Sequence, residues 1–165
     1  MGSVQLRSDN DVLECNNNHV TRDHLLWEIT SICNQNCIYC YPSRTIDVET
    51  SEENRIRIAK EINQSNFFHI HVTGGEPTAC PNIYEIIEIL SEKSVHISTN
   101  LSVLSEKDKA LFSMSNINSV SISLDSVDSK INDQLRSNGE IVKNNILKLI
   151  KYKKDNGLNF HIRIH

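Results

Sequence analysis

Alternating apolar and polar positions divide the chain into short extended runs and longer helical ones. Residues 25–30, 67–73, 95–99, 119–124 and 159–165 are rich in β-branched and aromatic residues and read as strands. Between them, residues 51–64, 82–90, 105–112 and 140–154 carry helical spacing. Ser51 fits an N-cap with Glu52 and Glu53 in the first turn. Pro81 precedes a helix with Ile83, Ile86, Ile87 and Leu90 on one face. Ser105 caps the short third helix; Val142, Ile146, Leu149 and Ile150 line the fourth, which Gly157 stops. Strands separated by helix-length crossovers predict βα units around a parallel sheet, an α/β fold. Residues 1–24 are polar and Asn/Asp-rich and read as an irregular arm; residues 25–165 form one core domain.

Strand side chains alternate between faces, so each run has a dry side and a wet side. Phe68, Ile70 and Val72 oppose His69, His71 and Thr73. Val95 and Ile97 oppose His96 and Ser98; Val120, Ile122 and Leu124 oppose Ser121, Ser123 and Asp125. Phe160, Ile162 and Ile164 oppose His161, Arg163 and His165. Five of the seven histidines thus fall on polar faces. An antiparallel sheet with one solvated side gives the same alternation, but the crossover lengths favour a curved parallel sheet with helices outside. Its inner face would line a wet cavity holding a ligand, where a closed barrel would be filled with branched apolar residues.

Composition narrows the class. A net charge of −4 gathers neither nucleic acid nor an anionic membrane, so neither is expected as a partner. No apolar run approaches the roughly 20 residues needed to span a bilayer, and no secretory signal is visible. The expected location is cytoplasmic, where thiols stay reduced. Three of the five cysteines nevertheless crowd into Cys33-Asn-Gln-Asn-Cys37-Ile-Tyr-Cys40, directly after the first strand. Active sites of βα folds lie at that end of the strands. Three thiolates on a short loop can hold three irons of a 4Fe–4S cluster, leaving the fourth open to substrate or cofactor. A zinc site completed by Cys80, His69 or His71 stays open at this point. A redox pair of Cys37 and Cys40 leaves Cys33 unexplained. Cys15 and Cys80 read as plain thiols.

The motifs WEITSICNQNCIYCY, HVTGGEPT, ISTNLS, SISLDS and INDQLRSNG follow one another in an order that resembles the radical S-adenosylmethionine (SAM) superfamily. The resemblance is to the branch of molybdenum-cofactor cyclases, anaerobic sulfatase-maturating enzymes and peptide maturases, and covers residues 25–165. It implies a partial (βα) barrel whose cofactors are a 4Fe–4S cluster and SAM. Cys33, Cys37 and Cys40 would ligate the cluster, and the open iron would take the methionyl amine and carboxylate. Tyr39 would pack near the adenine, and the backbone of Gly74, Gly75, Glu76 and Pro77 would receive the methionyl amino group. The two glycines also suit close approach of main chain to a ligand, and Pro77 fixes the turn. Ser98 and Asn100 would meet the ribose or sulfonium region, Ser123 would touch the cofactor, and Arg136 would pair with the methionyl carboxylate.

The implied reaction is reductive cleavage of SAM to a 5′-deoxyadenosyl radical that abstracts hydrogen from a substrate. The substrate would be a peptide or protein, or alternatively a small molecule of cofactor or nucleoside biosynthesis. The electron would come from a flavodoxin- or ferredoxin-type donor. The inner histidines and Arg163 would bind substrate, shuttle protons or simply line the cavity. A non-catalytic remnant with a structural cluster or zinc is the reading of a different class. Three departures stand out. Leu101 replaces the glycine usual after the third-strand asparagine and is expected to reshape that turn. Asn132-Asp133 stands where His-Asp is commoner. The chain stops in the fifth strand, so the core is expected to be C-terminally incomplete, with further chain or a partner completing the barrel.

Overall fold

The computed structural model describes residues 23–40 and 49–165. Five strands follow one another in space as in sequence: β1 His24–Glu28, β2 His69–Thr73, β3 Ser94–Thr99, β4 Ile117–Ile122 and β5 His161–Ile164. Every neighbouring pair is parallel, and β1 and β5 form the two edges of an open sheet. Crossovers are made by α1 Glu52–Gln64, α2 Ile83–Ile89, α3 Glu106–Phe112, and α4 Ser129–Leu135 followed by α5 Gly139–Asp155. Most of the expected arm lies outside the described residues, but His24, its last residue, opens β1.

The helices form where capping and periodicity coincide. Ser51 accepts the Asn54 N–H at the start of α1, and Ser105 and Asp108 form a reciprocal capping box on α3. Ile70, Val72, Val95, Ile97, Val120 and Ile122 point from the sheet into one core with Ala59, Ile86, Leu111, Val142 and Leu149 from four helices. The opposite face stays polar. Hydrophobic burial therefore puts the helices on one side and leaves the histidine-bearing side for chemistry.

Boundaries shift by one or two residues, each for a local reason. Asp23 O accepts both the Phe68 and the His69 N–H, so the β2 ladder starts at His69 and Phe68 is turned out, 51% exposed, away from the core face expected for it. β1 starts one residue early, which adds His24 to the polar face. β4 ends at Ile122, so Ser123 and Asp125 lie just beyond the strand rather than on it. Helix α4 has no counterpart in the sequence reading; its one buried residue is Asn132, so it shows no apolar stripe.

Leu101 takes left-handed backbone, φ 49°, the region that favours glycine, with its side chain buried. Asn145 Nδ2 donates to its carbonyl at 3.0 Å. Left-handed backbone costs an L-residue about 1–2 kcal/mol, whereas truncating a buried leucine costs about 2–5 kcal/mol. Burial wins. Leu101→Gly is expected to lower stability by about 2 kcal/mol in urea denaturation, despite relieving the backbone.

Candidate functional site

The site is built on the loop that leaves β1. Its base is pinned from two sides. Gly75 N–H donates to Thr30 O and Glu76 N–H to Ile32 O, each at 2.7 Å, tying the loop to the turn after β2. On the other side Glu49 accepts from Thr30 Oγ1, Ser31 N and Ser31 Oγ at 2.7 Å. Burial raises the Glu49 pKa, but these hydrogen bonds and the nearby Arg55 outweigh it and hold it below the usual range. Arg55, itself buried, reaches Glu49 at 2.6 Å and Asn82 at 2.9 Å. Neither Glu49, Arg55 nor Asn82 was visible as a site residue in the sequence, because nothing local marks which carboxylate a buried arginine will meet.

The glycine pair serves this loop. A Cβ on Gly74 would lie 2.4 Å from Thr30 O, and one on Gly75 would lie 2.2 Å from Ile32 O. The space freed by the missing side chains is thus taken by main chain at the start of the cysteine loop. Gly74 also has φ 137°. Glu76 is buried and bridges to the end of β3: its carboxylate accepts from Thr78 N, Thr78 Oγ1 and Thr99 Oγ1, and from Asn100 N at 2.7 Å. Burial pushes its carboxyl pKa up against the pull of those bonds. Pro77 starts a single 3₁₀ turn.

Beyond this base, Cys33, Cys37 and Cys40 border a cavity of about 150 Å³ together with Tyr39, Gly74, Gly75, Ser98, Asn100, Ser123 and Arg136. Glu76 and Pro77 do not border it. A larger cavity, about 730 Å³, opens at the start of the strands, but no residue of the cysteine loop borders it. Size is therefore a poor guide to the chemistry here; the smaller cavity holds the reactive groups, at the C-terminal strand ends where βα-fold sites occur.

Several of these side chains already have protein partners. Asn100 Nδ2 donates to Asn34 Oδ1 at 2.8 Å and approaches Cys33 Sγ at 3.8 Å, so it orients the loop from behind. Ser98 Oγ lies 2.7 Å from His71 Nε2. Tyr39 donates to Asp125 Oδ2 at 2.6 Å, and Arg136 donates to both Asp125 and the Tyr39 hydroxyl. Gln35 Nε2 reaches Ser137 O, and Ile38 N reaches Leu135 O, which fastens the loop to the end of α4. Asn132 Oδ1 accepts from Asp125 N at 3.1 Å, giving the asparagine of Asn132-Asp133 a structural task.

The thiols suit a multi-iron group. Cys33, Cys37 and Cys80 are free thiols. Burial raises the pKa of Cys33 and Cys37, and repulsion by neighbouring thiols adds to it, so positive charge in the cavity would favour these two as thiolates. Among the described residues no three His, Cys, Asp or Glu side chains converge on one ion-sized point. The proposed fourth zinc ligands are also elsewhere. Cys80 is buried with its Sγ on Asn82 Oδ1, His71 is on Ser98, and His69 stands at the start of β2.

Histidines gather on the polar face. His24 stacks on His69 at 4.5 Å, and His69 lies 5.8 Å from His96. Burial, then the charges of Arg163 and the other histidines, lowers the His96 pKa to about 4; burial and then His165 and Arg163 lower that of His71. Because the folded values lie below the ordinary 6.5, the unfolded chain takes up these protons first as pH falls. Stability is expected to decline between about pH 6.5 and pH 4, and His96→Gln to flatten that decline, read as urea midpoints.

Known proteins resemble this arrangement. The sequence profile of the Radical SAM superfamily matches residues 27–165. Mycofactocin maturase MftC of Mycobacterium ulcerans is 30% identical over 119 residues, 70% of this chain and 32% of that protein. GTP 3′,8-cyclase of Staphylococcus haemolyticus is 27% identical over 150 residues, 83% of this chain and 43% of that protein. Among solved structures, Streptococcus suis SuiB bound to S-adenosylmethionine superposes with a TM-score of 0.70 at 22% identity, covering 86% of this chain and 33% of SuiB. The chain thus spans between about a third and under half the length of the curated relatives it matches. No helix among the described residues is long and apolar enough to cross a membrane. With a matching profile over most of its length and a similar fold, the chain belongs to the radical SAM superfamily, whose cofactors are a 4Fe–4S cluster and S-adenosylmethionine.

Proposed function

We propose that this chain is the core of a radical SAM enzyme that modifies a peptide or protein. The observation that carries the reading is the gathering of Cys33, Cys37, Cys40, Tyr39, Gly74, Gly75, Ser98, Asn100, Ser123 and Arg136 around one cavity. In this reading the three cysteines hold the cluster, and the ends of β2 and β3 hold SAM through the backbone of Gly74 and Gly75, which border the cavity, and through Ser98, Asn100 and Ser123. Arg136, its Nε already paired with Asp125, receives the methionyl carboxylate on its guanidinium, while Tyr39 flanks the adenine. The chemistry the two cofactors supply when bound is reductive cleavage of SAM to a radical that abstracts hydrogen from substrate. The protein's own part is to orient the cofactors and shield them from water.

The peptide class is supported by the maturase relative and by SuiB, which is also known bound to its precursor peptide SuiA. A small-molecule substrate is the second reading, supported by the likeness to GTP 3′,8-cyclase. A flavodoxin- or ferredoxin-type donor would supply the electron, in a reducing, cytoplasmic compartment, and further chain or a partner would close the open sheet beyond β5. The test is EPR of the anaerobically reconstituted, dithionite-reduced chain with and without SAM, alongside assay of 5′-deoxyadenosine. A reduced-cluster signal that SAM alters, with 5′-deoxyadenosine formed, is expected. Bound zinc without a cluster would sink the reading.

A further inference from the structure

The polar face of the sheet brings together side chains that none of the roles above uses. Strand register places His71, His96, Ser119 and His161 side by side across β2 to β5. One step nearer the cysteine cavity, Ser98, Ser121 and Arg163 stand in register, and Ser98 borders that cavity. Arg163 is the exception among the described arginines. Arg55, Arg57 and Arg136 are ion-paired with Glu49, Glu61 and Asp125. Arg163, exposed on β5, has no carboxylate partner among the described residues.

Among the described residues that charge is uncompensated. Glu28, the one acidic strand residue on this face, sits on β1 at the far edge. Four strand spacings separate it from β5, roughly 19 Å along the sheet. Asp125 is occupied by Arg136 and Tyr39. Burial and then neighbouring positive charges, Arg163 among them, depress the His96 and His71 pKa values, which favours the neutral form of these two rings. Each keeps one ring nitrogen on a serine: His71 Nε2 on Ser98 and His96 Nδ1 on Ser119. Its other nitrogen has no hydrogen bond within the described residues and remains for a ligand. An unpaired guanidinium on the same sheet face as hydrogen-bonding imidazoles is suited to a planar or tetrahedral anion.

We propose that this face binds an anionic group of the substrate, a carboxylate or a phosphate, with Arg163 as counter-ion and His71 and His96 as flanking hydrogen-bond partners. The inference rests on the reading of the chain as a substrate-modifying enzyme, and it assigns Arg163 the selection of the substrate rather than of SAM. A peptide substrate would then present an acidic side chain or its C-terminus here, and a small molecule would present a phosphate.

The experiment is NMR titration of the whole chain, following the His71 and His96 imidazole signals. The probes are acetyl-Ala-Asp-Ala-amide, its Asn counterpart and inorganic phosphate, at constant ionic strength. At least one anion is expected to bind about tenfold more tightly than the Asn peptide, the worth of one charge-assisted contact. Arg163→Gln is expected to remove that advantage and Arg163→Lys to keep part of it; Arg163 is exposed, so neither should unfold the chain. Preference for the Asp peptide identifies a carboxylate source, and preference for phosphate a phosphate ester. Equal binding of all three probes, or an advantage that survives Arg163→Gln, would overturn the proposal. Binding is read without SAM cleavage, so the two readings fail separately: a chain that selects anions but makes no 5′-deoxyadenosine contradicts only the proposed reaction.

Discussion

Replacing any one of Cys33, Cys37 or Cys40 by serine is expected to abolish cluster assembly, while Cys80→Ala leaves it intact. A 4Fe–4S cluster takes one thiolate per protein-bound iron. With three cysteines at the cavity, removing one leaves two, and no other described side chain stands ready. Asn100 comes within 3.8 Å of Cys33 but is a poor iron ligand, and His71 is held on Ser98. Cys80 is buried behind Asn82 and borders neither cavity, so its loss costs only packing. Iron and acid-labile sulfide per chain after anaerobic reconstitution provide the readout. About four irons are expected for the parent and for Cys80→Ala, and background for the three loop variants. Full iron in a loop variant, or its loss in Cys80→Ala, would show that the metal is held elsewhere.

Much of this site could be read from the sequence because its signals are local. A period-two alternation names both faces of each strand, and three cysteines within eight residues cannot be far apart in space. The polar face followed directly, and His24 escaped only because β1 begins one residue earlier than its apolar pattern suggests. Long-range pairings carried no such signal. Glu49 meets Thr30 and Ser31 across 18 or 19 residues, and Tyr39 meets Asp125 across 86. Helix α4 was missed because it buries an asparagine, not an apolar stripe. The Gly74–Gly75 pair was legible as a demand for space, yet the sequence does not say what fills it.

That last point leads to the second large effect. Gly75→Ala is expected to detach the cysteine loop from the turn after β2. The new Cβ would lie 2.2 Å from Ile32 O, 2.6 Å from Ile32 C and 2.8 Å from Ser31 O. Carbon and its neighbours rest at about 3.5–4.0 Å, and all three obstacles are main chain that no rotamer change can move. The loop must retreat by about 1 Å or more, which breaks the Gly75–Thr30 and Glu76–Ile32 hydrogen bonds. Each contributes about 1 kcal/mol, and residual strain adds to their loss. A destabilisation of about 3 kcal/mol is expected, with iron retention falling because Cys33 follows directly on Ile32. Gly157→Ala is the matched control. Gly157 also has positive φ, 61°, but nothing lies within 4 Å of its would-be Cβ. It pays only the left-handed backbone penalty of about 1 kcal/mol and should keep its iron. Urea denaturation and iron content on the two variants separate crowding from backbone preference. Equal stability with equal iron would mean that the loop does not depend on this close approach.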